Sequence, residues 1–272
     1  MRGWAALAAH ISAHPVAGTP AQMRVAFAAL APNGPVGECV MLGGVPCVRF
    51  GPQTGVPILW MHGGGLVFGS PATHAAMAQM MADYAGRPVI LPQYRLAPEH
   101  PWPAPLDDIL AVIDALPGPI DLGGDSAGGQ LALLAALRRP GRVRRLALVS
   151  PNTDRTGQST TRARDTDIMN DDAQDRNLAQ LSFGPHLFIH PDASPLLADL
   201  SALPPVWVTA ATNEVLLDDT LLLIAALGRA GVDATARIEP GLCHLWVLWP
   251  DTLTTAAGAI AGIADHFNGA KG

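Results

Sequence analysis

The chain has 272 residues, of which 49% are hydrophobic and 15% are charged, and its formal net charge at pH 7 is −6. Its 28 glycines and 25 prolines stay below the combined share of roughly 25–30% that marks a disordered low-complexity chain. These figures predict a globular protein with a sizeable core, and the length is compatible with a single α/β domain. The acidic balance and the lack of a polybasic tract argue against nucleic acid as a partner.

The cysteines and the apolar runs indicate the cellular compartment of the protein. Cys39, Cys47 and Cys243 show no C-x-x-C spacing, which argues against a disulfide framework and favours a reducing compartment. No uninterrupted run of 18 apolar residues is present, so no membrane insertion is predicted. The apolar stretch Trp4–Ala13 is broken early by His10, Ser12, His14 and Pro15 and is interpreted as an amphipathic helix rather than a signal peptide. A cytoplasmic location is expected.

Short β-branched runs alternate with helical runs along the chain, which predicts βαβ units and a mostly parallel sheet. The predicted strands are Val36–Met41, Pro46–Phe50, Val56–Met61, Pro88–Leu91, Pro119–Leu122, Val143–Val149, Pro205–Ala210 and Ala234–Ile238. The predicted helices that follow Trp4–Ala13 are His74–Ala85, Pro105–Leu116, Ala127–Leu137, Leu216–Gly231 and Leu245–Phe267, the last with an interruption at Pro250.

The alternation stops between Asn152 and about Pro195, where the chain becomes polar. A structureless loop of this length is uncommon inside a compact domain, so a helical insertion is predicted, with a helix beginning near Asn170. Together with the N-terminal helices it would form a small cap. The predicted organisation is one catalytic domain, in which residues 1–35 and 152–195 form the cap and residues 36–151 and 196–272 form the α/β core.

The segment Gly124-Asp125-Ser126-Ala127-Gly128 matches the pattern G-x-S-x-G, with an apolar strand before it and a helix rich in Ala and Leu after it. A sharp strand-to-helix turn needs small neighbours and exposes the serine hydroxyl above the sheet edge. The helix N-terminus also offers free N–H groups to a developing anion. The alternative is a merely flexible glycine-rich turn, which the flanking strand and helix disfavour. Ser126 is therefore predicted to be a nucleophile.

A second glycine-rich segment, His62-Gly63-Gly64-Gly65, follows the predicted strand that ends at Met61. Three consecutive glycines allow backbone N–H groups to turn inward without side chains in the way, as an oxyanion hole requires. A phosphate-binding loop is the alternative, but neither G-x-G-x-x-G nor a P-loop lysine follows.

A base and an acid are expected after the serine, in the order serine, acid, histidine. His244 lies in a loop at the C-terminal end of a predicted strand, where the sites of α/β proteins are built, whereas His266 is expected to be solvated near the end of the last helix. The acid stays open between Glu214, in the loop after a strand, and Asp218 or Asp219, which could instead complement the dipole of the next helix.

These motifs, together with Tyr94-Arg95-Leu96-Ala97-Pro98-Glu99-His100-Pro101, resemble the bacterial hormone-sensitive-lipase family of esterases, from about residue 36 to the end of the chain. The resemblance implies an α/β-hydrolase fold with a mostly parallel central sheet, flanking helices and a small helical cap. It also implies hydrolysis of carboxylic esters without a metal or another cofactor. The residue roles that it implies are nucleophile for Ser126, general base for His244, and oxyanion-hole N–H donors for Gly64, Gly65 and Ala127.

In that family the acid opens an Asp-x-Leu-x-Asp pattern, and the corresponding segment here is Glu214-x-Leu216-x-Asp218. The resemblance therefore implies Glu214 as the acid, one methylene longer than usual, with Asp218 in reserve. The segment 94–101 is expected to be structural, with Arg95 paired to Glu99, and Asp125 is expected to support the site through hydrogen bonds.

The function expected from these residues is that of a serine carboxylesterase acting on short- to medium-chain esters of small molecules. A lactone hydrolase or amidase on the same triad, or a non-catalytic ligand-binding homologue, remains an alternative, and a homodimer is compatible with the sequence. His186 and His190 are four residues apart but lack the H-E-x-x-H pattern, so no metal is expected. The candidate pocket residues are Leu66, Phe68, Met169, Leu181, Phe183 and Trp246, with Ile168 and Leu178 as further candidate walls.

Overall fold

The computed structural model describes residues 3–270, which include one eight-stranded sheet. The strands are β1 Glu38–Leu42, β2 Val45–Phe50, β3 Ile58–Met61, β4 Val89–Pro92, β5 Ile120–Asp125, β6 Val143–Val149, β7 Val206–Ala211 and β8 Ala234–Glu239. Their order in the sheet is β1-β2-β4-β3-β5-β6-β7-β8. Only the pairings β1–β2 and β2–β4 are antiparallel, so the predicted mostly parallel sheet is confirmed.

Helices cover both faces of the sheet. They are α1 Trp4–Ala13, α2 Pro20–Leu30, α3 Ala75–Ala85, α4 Ala104–Ala115, α5 Ala127–Arg138, α6 Asp172–Phe183, α7 Leu217–Arg229 and α8 Thr254–Asn268. Successive side chains of a strand point to opposite faces, and β3 shows this clearly: Ile58 and Trp60 enter one apolar layer, while Leu59 and Met61 enter the other. The first layer contains α1, α2, α3 and α8, and the second contains α4, α5 and α7.

The two segments predicted to form a cap contain α1, α2 and α6. Residues 152–195 hold α6 and short 3₁₀ turns, and α6 begins two residues after Asn170. The predicted final helix is divided into a 3₁₀ turn, Trp246–Leu248, and α8, with Pro250 between them. The outermost ends of the predicted domain boundaries, residues 1 and 272, lie outside the described residues. Among residues 3–270, no helix is both long and apolar enough to cross a bilayer.

The predicted ion pair between Arg95 and Glu99 is wrong. Arg95 pairs with Asp108 of α4, at 2.7 Å between Nη2 and Oδ1, and Glu99 pairs with Arg24 of α2, at 2.6 Å between Oε2 and Nη2. Arg24 also donates to the carbonyl of Val67, so Glu99 helps to fasten α2 to the loop after β3. Spacing in the sequence favoured the local pair, whereas packing supplies a distant partner to each side chain.

The prediction that His266 is solvated is also wrong. Its side chain is partly buried beside Arg145 and Pro205, near the N-terminal ends of β6 and β7. Burial, with the nearby charge of Arg145, lowers the pKa of His266 to about 4. This position lies at the end of the parallel strands opposite to Ser126, so His266 cannot take part in the same site.

Candidate active site

Ser126 occupies a sharp turn between β5 and α5. Its backbone has φ 55° and ψ −123°, a conformation that is strained for a residue with a side chain. The flanking glycines make the turn possible, because a Cβ on Gly124 would lie 2.3 Å from the carbonyl oxygen of Gly128. A Cβ on Gly128 would lie 2.1 Å from the carbonyl oxygen of Met61. The turn therefore aims the serine side chain away from the sheet at the C-terminal edge of the strands.

Ser126, His244 and Glu214 form a continuous hydrogen-bonded chain. The distance from Ser126 Oγ to His244 Nε2 is 2.9 Å, and the distance from His244 Nδ1 to Glu214 Oε2 is also 2.9 Å. The other carboxylate oxygen of Glu214 accepts from the hydroxyl of Ser150 and from the backbone N–H of Ala211, each at 2.8 Å. The carboxylate is fully buried and fixed at both oxygens, so the longer side chain of Glu still meets the histidine.

The other two carboxylates considered as the acid face elsewhere. Asp218 accepts hydrogen bonds from the backbone N–H and the hydroxyl of Thr160, at 2.8 and 2.6 Å. Asp219 pairs with Arg162 at 2.7 Å. The structure therefore brings Glu214, and not Asp218 or Asp219, to His244.

The surroundings of His244 favour its protonated form. Burial alone would lower the pKa of His244, but the hydrogen bond and charge of Glu214 outweigh it, and the charges of Asp167 and Asp175 act in the same direction, so the pKa lies above its usual value. A histidine in such surroundings accepts a proton readily from a neighbouring hydroxyl.

Three backbone N–H groups stand free next to Ser126. Among residues 3–270, those of Gly64, Gly65 and Ala127 have no hydrogen-bond acceptor, and both glycines line the cavity at Ser126. Gly64 and Gly65 have φ values of 117° and 60°, and a Cβ on Gly65 would lie 2.6 Å from the side chain of Leu178. Unused donors around a nucleophile are what a developing oxyanion requires.

Asp125 connects the serine turn to the glycine-rich loop. Its carboxylate accepts from Trp60 Nε1 at 2.9 Å and from the backbone N–H of Gly63 at 2.8 Å, and it lies 3.1 Å from His74 Nε2. Burial would raise the pKa of Asp125, but the charge and hydrogen bond of His74 and the hydrogen bond from Trp60 lower it overall. Asp125 thus makes the kind of supporting hydrogen bonds expected from the sequence.

Tyr94, from the segment 94–101, holds the same loop from the other side. Its hydroxyl donates to the carbonyl of His62 at 2.6 Å, and the two rings stack with centroids 4.2 Å apart. Burial lowers the pKa of His62 to about 3, so this ring stays neutral at neutral pH. The glycine-rich loop is therefore anchored independently by Asp125 and by Tyr94.

The cavity at Ser126 is small and lined on several sides. Its volume is about 20 Å³, which is room for about one water molecule. A larger cleft of about 580 Å³ lies beside Arg24, Tyr94 and Glu99, away from the serine. The residues that line the small cavity are Val16, Gly64, Gly65, Phe68, Ser126, Met169, Asn170, Gln174, Asp175, Leu178, His244 and Leu245.

Two of the six predicted pocket residues, Phe68 and Met169, lie in this lining, and so does the further candidate Leu178. Four do not, because they pack into the core. Leu66 and Phe183 belong to the apolar layer that contains α4 and α5, and Trp246 is fully buried in the opposite layer, against which Leu181 packs. Five further lining residues were not predicted from the sequence: Val16, Asn170, Gln174, Asp175 and Leu245.

A buried ion cluster underlies the polar side of the cavity. Asp175 pairs with both Arg155 and Arg162, and Arg162 also pairs with Asp219 of α7. Burial would raise the pKa of Asp175, but the two arginines lower it strongly overall. Because each charge has a partner, the cluster fastens the segment 152–195 to the core.

We expect Arg162→Gln to lower the free energy of unfolding by about 3 kcal/mol, because it leaves buried carboxylates without a partner. The matched control is Arg176→Gln, which removes an exposed pair between Arg176 and Asp172 and should cost no more than about 0.5 kcal/mol. Urea unfolding followed by circular dichroism measures both. An equal decrease in the free energy of unfolding in the two variants would contradict the structural role of the cluster.

His190, one of the two histidines that lie four residues apart, belongs to the segment 152–195. Within residues 3–270, no group of three or more His, Cys, Asp or Glu side chains is arranged to hold a metal ion. His190 accepts a hydrogen bond from the backbone N–H of Asp192 and lies beside the ring of Phe183. It therefore has a structural environment in the segment 152–195.

The fold and the site together define an α/β hydrolase. A family model described as alpha/beta hydrolase fold matches residues 58–248, and the chain belongs to this family. The resemblance to the bacterial hormone-sensitive-lipase family is confirmed by solved structures. One is titled as an esterase from that family, and it superposes with a TM-score of 0.89 at 32% identity over 100% of both chains. A mutant of the esterase E40 matches with a TM-score of 0.89 at 32% identity over 98% of each chain.

Curated relatives extend the comparison to named activities. An acetyl-hydrolase from Streptomyces hygroscopicus is 35% identical over 240 residues, which cover 83% of this chain and 80% of the relative. Carboxylesterase NlhH from Mycobacterium tuberculosis is 34% identical over 223 residues, which cover 74% of this chain and 70% of the relative. The chain is thus similar over most of its length to proteins named as an acetyl-hydrolase and a carboxylesterase.

Proposed function

We propose that the protein is a serine carboxylesterase that hydrolyses short- to medium-chain carboxylic esters through an acyl-serine intermediate. The observation that carries this proposal is the chain of 2.9 Å contacts from Ser126 through His244 to Glu214, beside three N–H groups that lack acceptors among residues 3–270. The activities named for the relatives, acetyl-hydrolase and carboxylesterase, support the same reaction.

In the proposed reaction, His244 Nε2 takes the proton of Ser126 Oγ as that oxygen attacks the ester carbonyl carbon. The carbonyl oxygen becomes an anion, which accepts hydrogen bonds from the N–H groups of Gly64, Gly65 and Ala127. The C–O bond to the alcohol then breaks, and His244 gives its proton to the departing oxygen. Water, deprotonated by His244, attacks the acyl-serine in the same way and releases the acid.

Glu214 acts through His244 in this scheme. Its Oε2 accepts from Nδ1–H, which leaves Nε2 free to take the serine proton and stabilises the imidazolium that forms. The hydrogen bonds from Ser150 and Ala211 hold the other carboxylate oxygen. The acid therefore does not need to move during the reaction.

The cavity supports a preference for small acyl groups. Ligand pockets usually measure about 300–1,000 Å³, whereas the cavity at Ser126 measures about 20 Å³. Entry of an ester thus requires displacement of side chains such as Val16, from the link between α1 and α2, and Leu178, from α6. We propose that α1, α2 and residues 152–195 form the cap that supplies these side chains.

Leu178→Ala is expected to shift the preference towards longer acyl chains. Leu178 lies against Gly65, and its truncation enlarges the cavity next to the nucleophile. The ratio of kcat/KM for p-nitrophenyl octanoate to that for the acetate should rise about tenfold. Leu181→Ala is the matched control, because Leu181 packs against the core and does not line the cavity. An unchanged ratio in Leu178→Ala would contradict its assignment as a pocket wall.

The proposed function is tested with p-nitrophenyl acetate, butyrate, octanoate and palmitate. We expect turnover of the short esters, loss of turnover in Ser126→Ala, and little turnover of palmitate. A folded wild-type protein that binds these esters but turns over none would instead indicate a non-catalytic ligand-binding homologue. Faster turnover of lactones or amides of matched size would assign the same triad to those leaving groups.

Assembly and location are further proposals drawn from the sequence. A homodimer is tested by sedimentation. A cytoplasmic location is in keeping with the unpaired Cys39, Cys47 and Cys243, and fractionation of the source cells tests it.

A further inference from the structure

Asp167 lies at the meeting point of three segments of the candidate site. It belongs to the segment 152–195, between a 3₁₀ turn and α6. Its Oδ1 accepts the backbone N–H of His244 at 3.1 Å, and its Oδ2 accepts the backbone N–H of Val215 at 3.3 Å. One carboxylate therefore joins the loop that carries His244 to the loop that carries Glu214. The backbone N–H of Met169, which lines the cavity, also donates to Oδ1 at 3.0 Å.

We propose that Asp167 is a positioning residue that fixes the His244 and Glu214 loops to each other and adds a second negative charge beside their pair. This inference rests on the proposed function, since it assigns Asp167 a part in the same site. Asp167 does not touch the reacting atoms. It acts through the backbone of His244 and through its charge.

The electrostatics of the cluster agree with this geometry. Burial raises the pKa of Asp167 to about 6, with His244 acting against the increase and Glu214 adding to it. In turn, the charge of Asp167 contributes to the raised pKa of His244. Burial, followed by the charges of Asp167 and Glu214, also raises the pKa of the Cys243 thiol.

The titratable groups that face this cluster come from three elements. The loop after β8 supplies Cys243 and His244, the loop after β7 supplies Glu214, and α6 supplies Asp175, whose charge also acts on His244. Asp175 is held by its arginine partners and has a strongly lowered pKa, and the Cys243 thiol stays protonated. We therefore expect Asp167 and His244 to be the two groups whose protonation shapes the acidic limb of a pH–activity profile.

A pH profile separates this positioning role from ordinary packing. As the pH falls, Asp167 and His244 both gain protons, and each proton lowers activity, so the acidic limb of kcat/KM should be steeper than a one-proton curve. A neighbouring negative charge favours the imidazolium, so Asp167→Asn should lower the midpoint of the limb by about one pH unit. In the same variant, the slope of the acidic limb of kcat/KM should decrease to that of a one-proton curve. The plateau of kcat should decrease about tenfold, with a smaller change in KM, because the charge that stabilised the imidazolium is lost.

Three companion variants make the profile specific. Asp165→Asn removes an exposed carboxylate two residues away and should leave the profile unchanged. Asp167→Glu keeps the charge and should restore most of the wild-type midpoint. Asp167→Ser removes the charge but keeps a small acceptor, and it replaces Asp167→Asn if that variant does not fold, with folding checked by circular dichroism.

An activity-independent measurement completes the test. NMR titration of the His244 ring in Ser126→Ala, assigned with His244→Gln, should give a lower midpoint when Asp167→Asn is added. If no ester is turned over by the wild type but this shift is seen, the positioning role stands and the proposed function fails. If esters are turned over and Asp167→Asn matches the wild type in slope and midpoint, the positioning role is overturned. Equal shifts in Asp165→Asn and Asp167→Asn would also overturn it.

Discussion

Ser126→Ala is expected to reduce kcat for p-nitrophenyl butyrate by a factor on the order of 10⁶. The variant has no oxygen for His244 to activate, so neither acylation nor the initial burst of p-nitrophenol can occur. Only the N–H groups of Gly64, Gly65 and Ala127 would remain to stabilise attack by water. Stopped-flow measurement of p-nitrophenol release tests both the burst and the steady rate.

Ser182→Ala is the matched control for this variant. Ser182 is also buried, at 1% exposure, and its hydroxyl has no hydrogen-bond partner among residues 3–270. Its loss should leave kcat within about twofold, as expected for a substitution outside the site. Comparable activity in Ser126→Ala and the wild type would contradict nucleophilic catalysis by Ser126.

Glu214→Gln is expected to lower kcat by a factor on the order of 10⁴. The amide oxygen of Gln can still accept from Ser150 and Ala211, which turns the amide NH₂ towards His244 Nδ1. The imidazole is then held in the tautomer whose Nε2 carries the hydrogen and cannot take the serine proton. The steady rate with p-nitrophenyl acetate over a range of pH measures the loss.

The same variant should also shift the pH profile. Glu214 raises the pKa of His244, so its neutralisation moves the acidic limb of kcat/KM to lower pH while the plateau falls. Asp218→Asn is the control, because Asp218 binds Thr160 and not the histidine, and its rate should stay within a few-fold of the wild type. A large loss in Asp218→Asn together with an active Glu214→Gln would transfer the acid role to Asp218.

The turn at Ser126 and the glycine-rich loop of the site could be predicted because their sequence patterns are local. The turn at Ser126 needs glycines at fixed offsets, and the glycines of 62–65 mark a loop with inward N–H groups, so both features are visible in a few consecutive residues. The strand order then places the loops that carry Glu214 and His244 at the same sheet edge, as in other parallel α/β proteins. The alternation of strands and helices likewise predicted each of the eight strands to within a few residues.

The pocket walls and the supporting pairs depend on contacts between distant segments. Leu66 and Phe183 are as apolar as Phe68 and Leu178, and only packing decides which of them face Ser126 and which enter the core. The sequence could not show that Arg24 binds Glu99, 75 residues away.

The role proposed for Asp167 could not be predicted from the sequence for the same reason. It lies in a polar segment without a periodic pattern, and its importance comes from two backbone N–H groups on separate loops. The neighbouring Asp165 has the same side chain but is exposed. Spacing in the sequence does not distinguish the two carboxylates, whereas their contacts do.

Covalent labelling of the nucleophile tests the central claim most directly. The protein is treated with diethyl p-nitrophenyl phosphate, one equivalent of p-nitrophenol is measured, and the labelled peptide is mapped by mass spectrometry. We predict a single diethylphosphoryl group on Ser126, loss of esterase activity in proportion to labelling, and no label in Ser126→Ala. Full inactivation with the label on another residue, or esterase activity that persists in fully labelled protein, would contradict the assignment of Ser126 as the nucleophile.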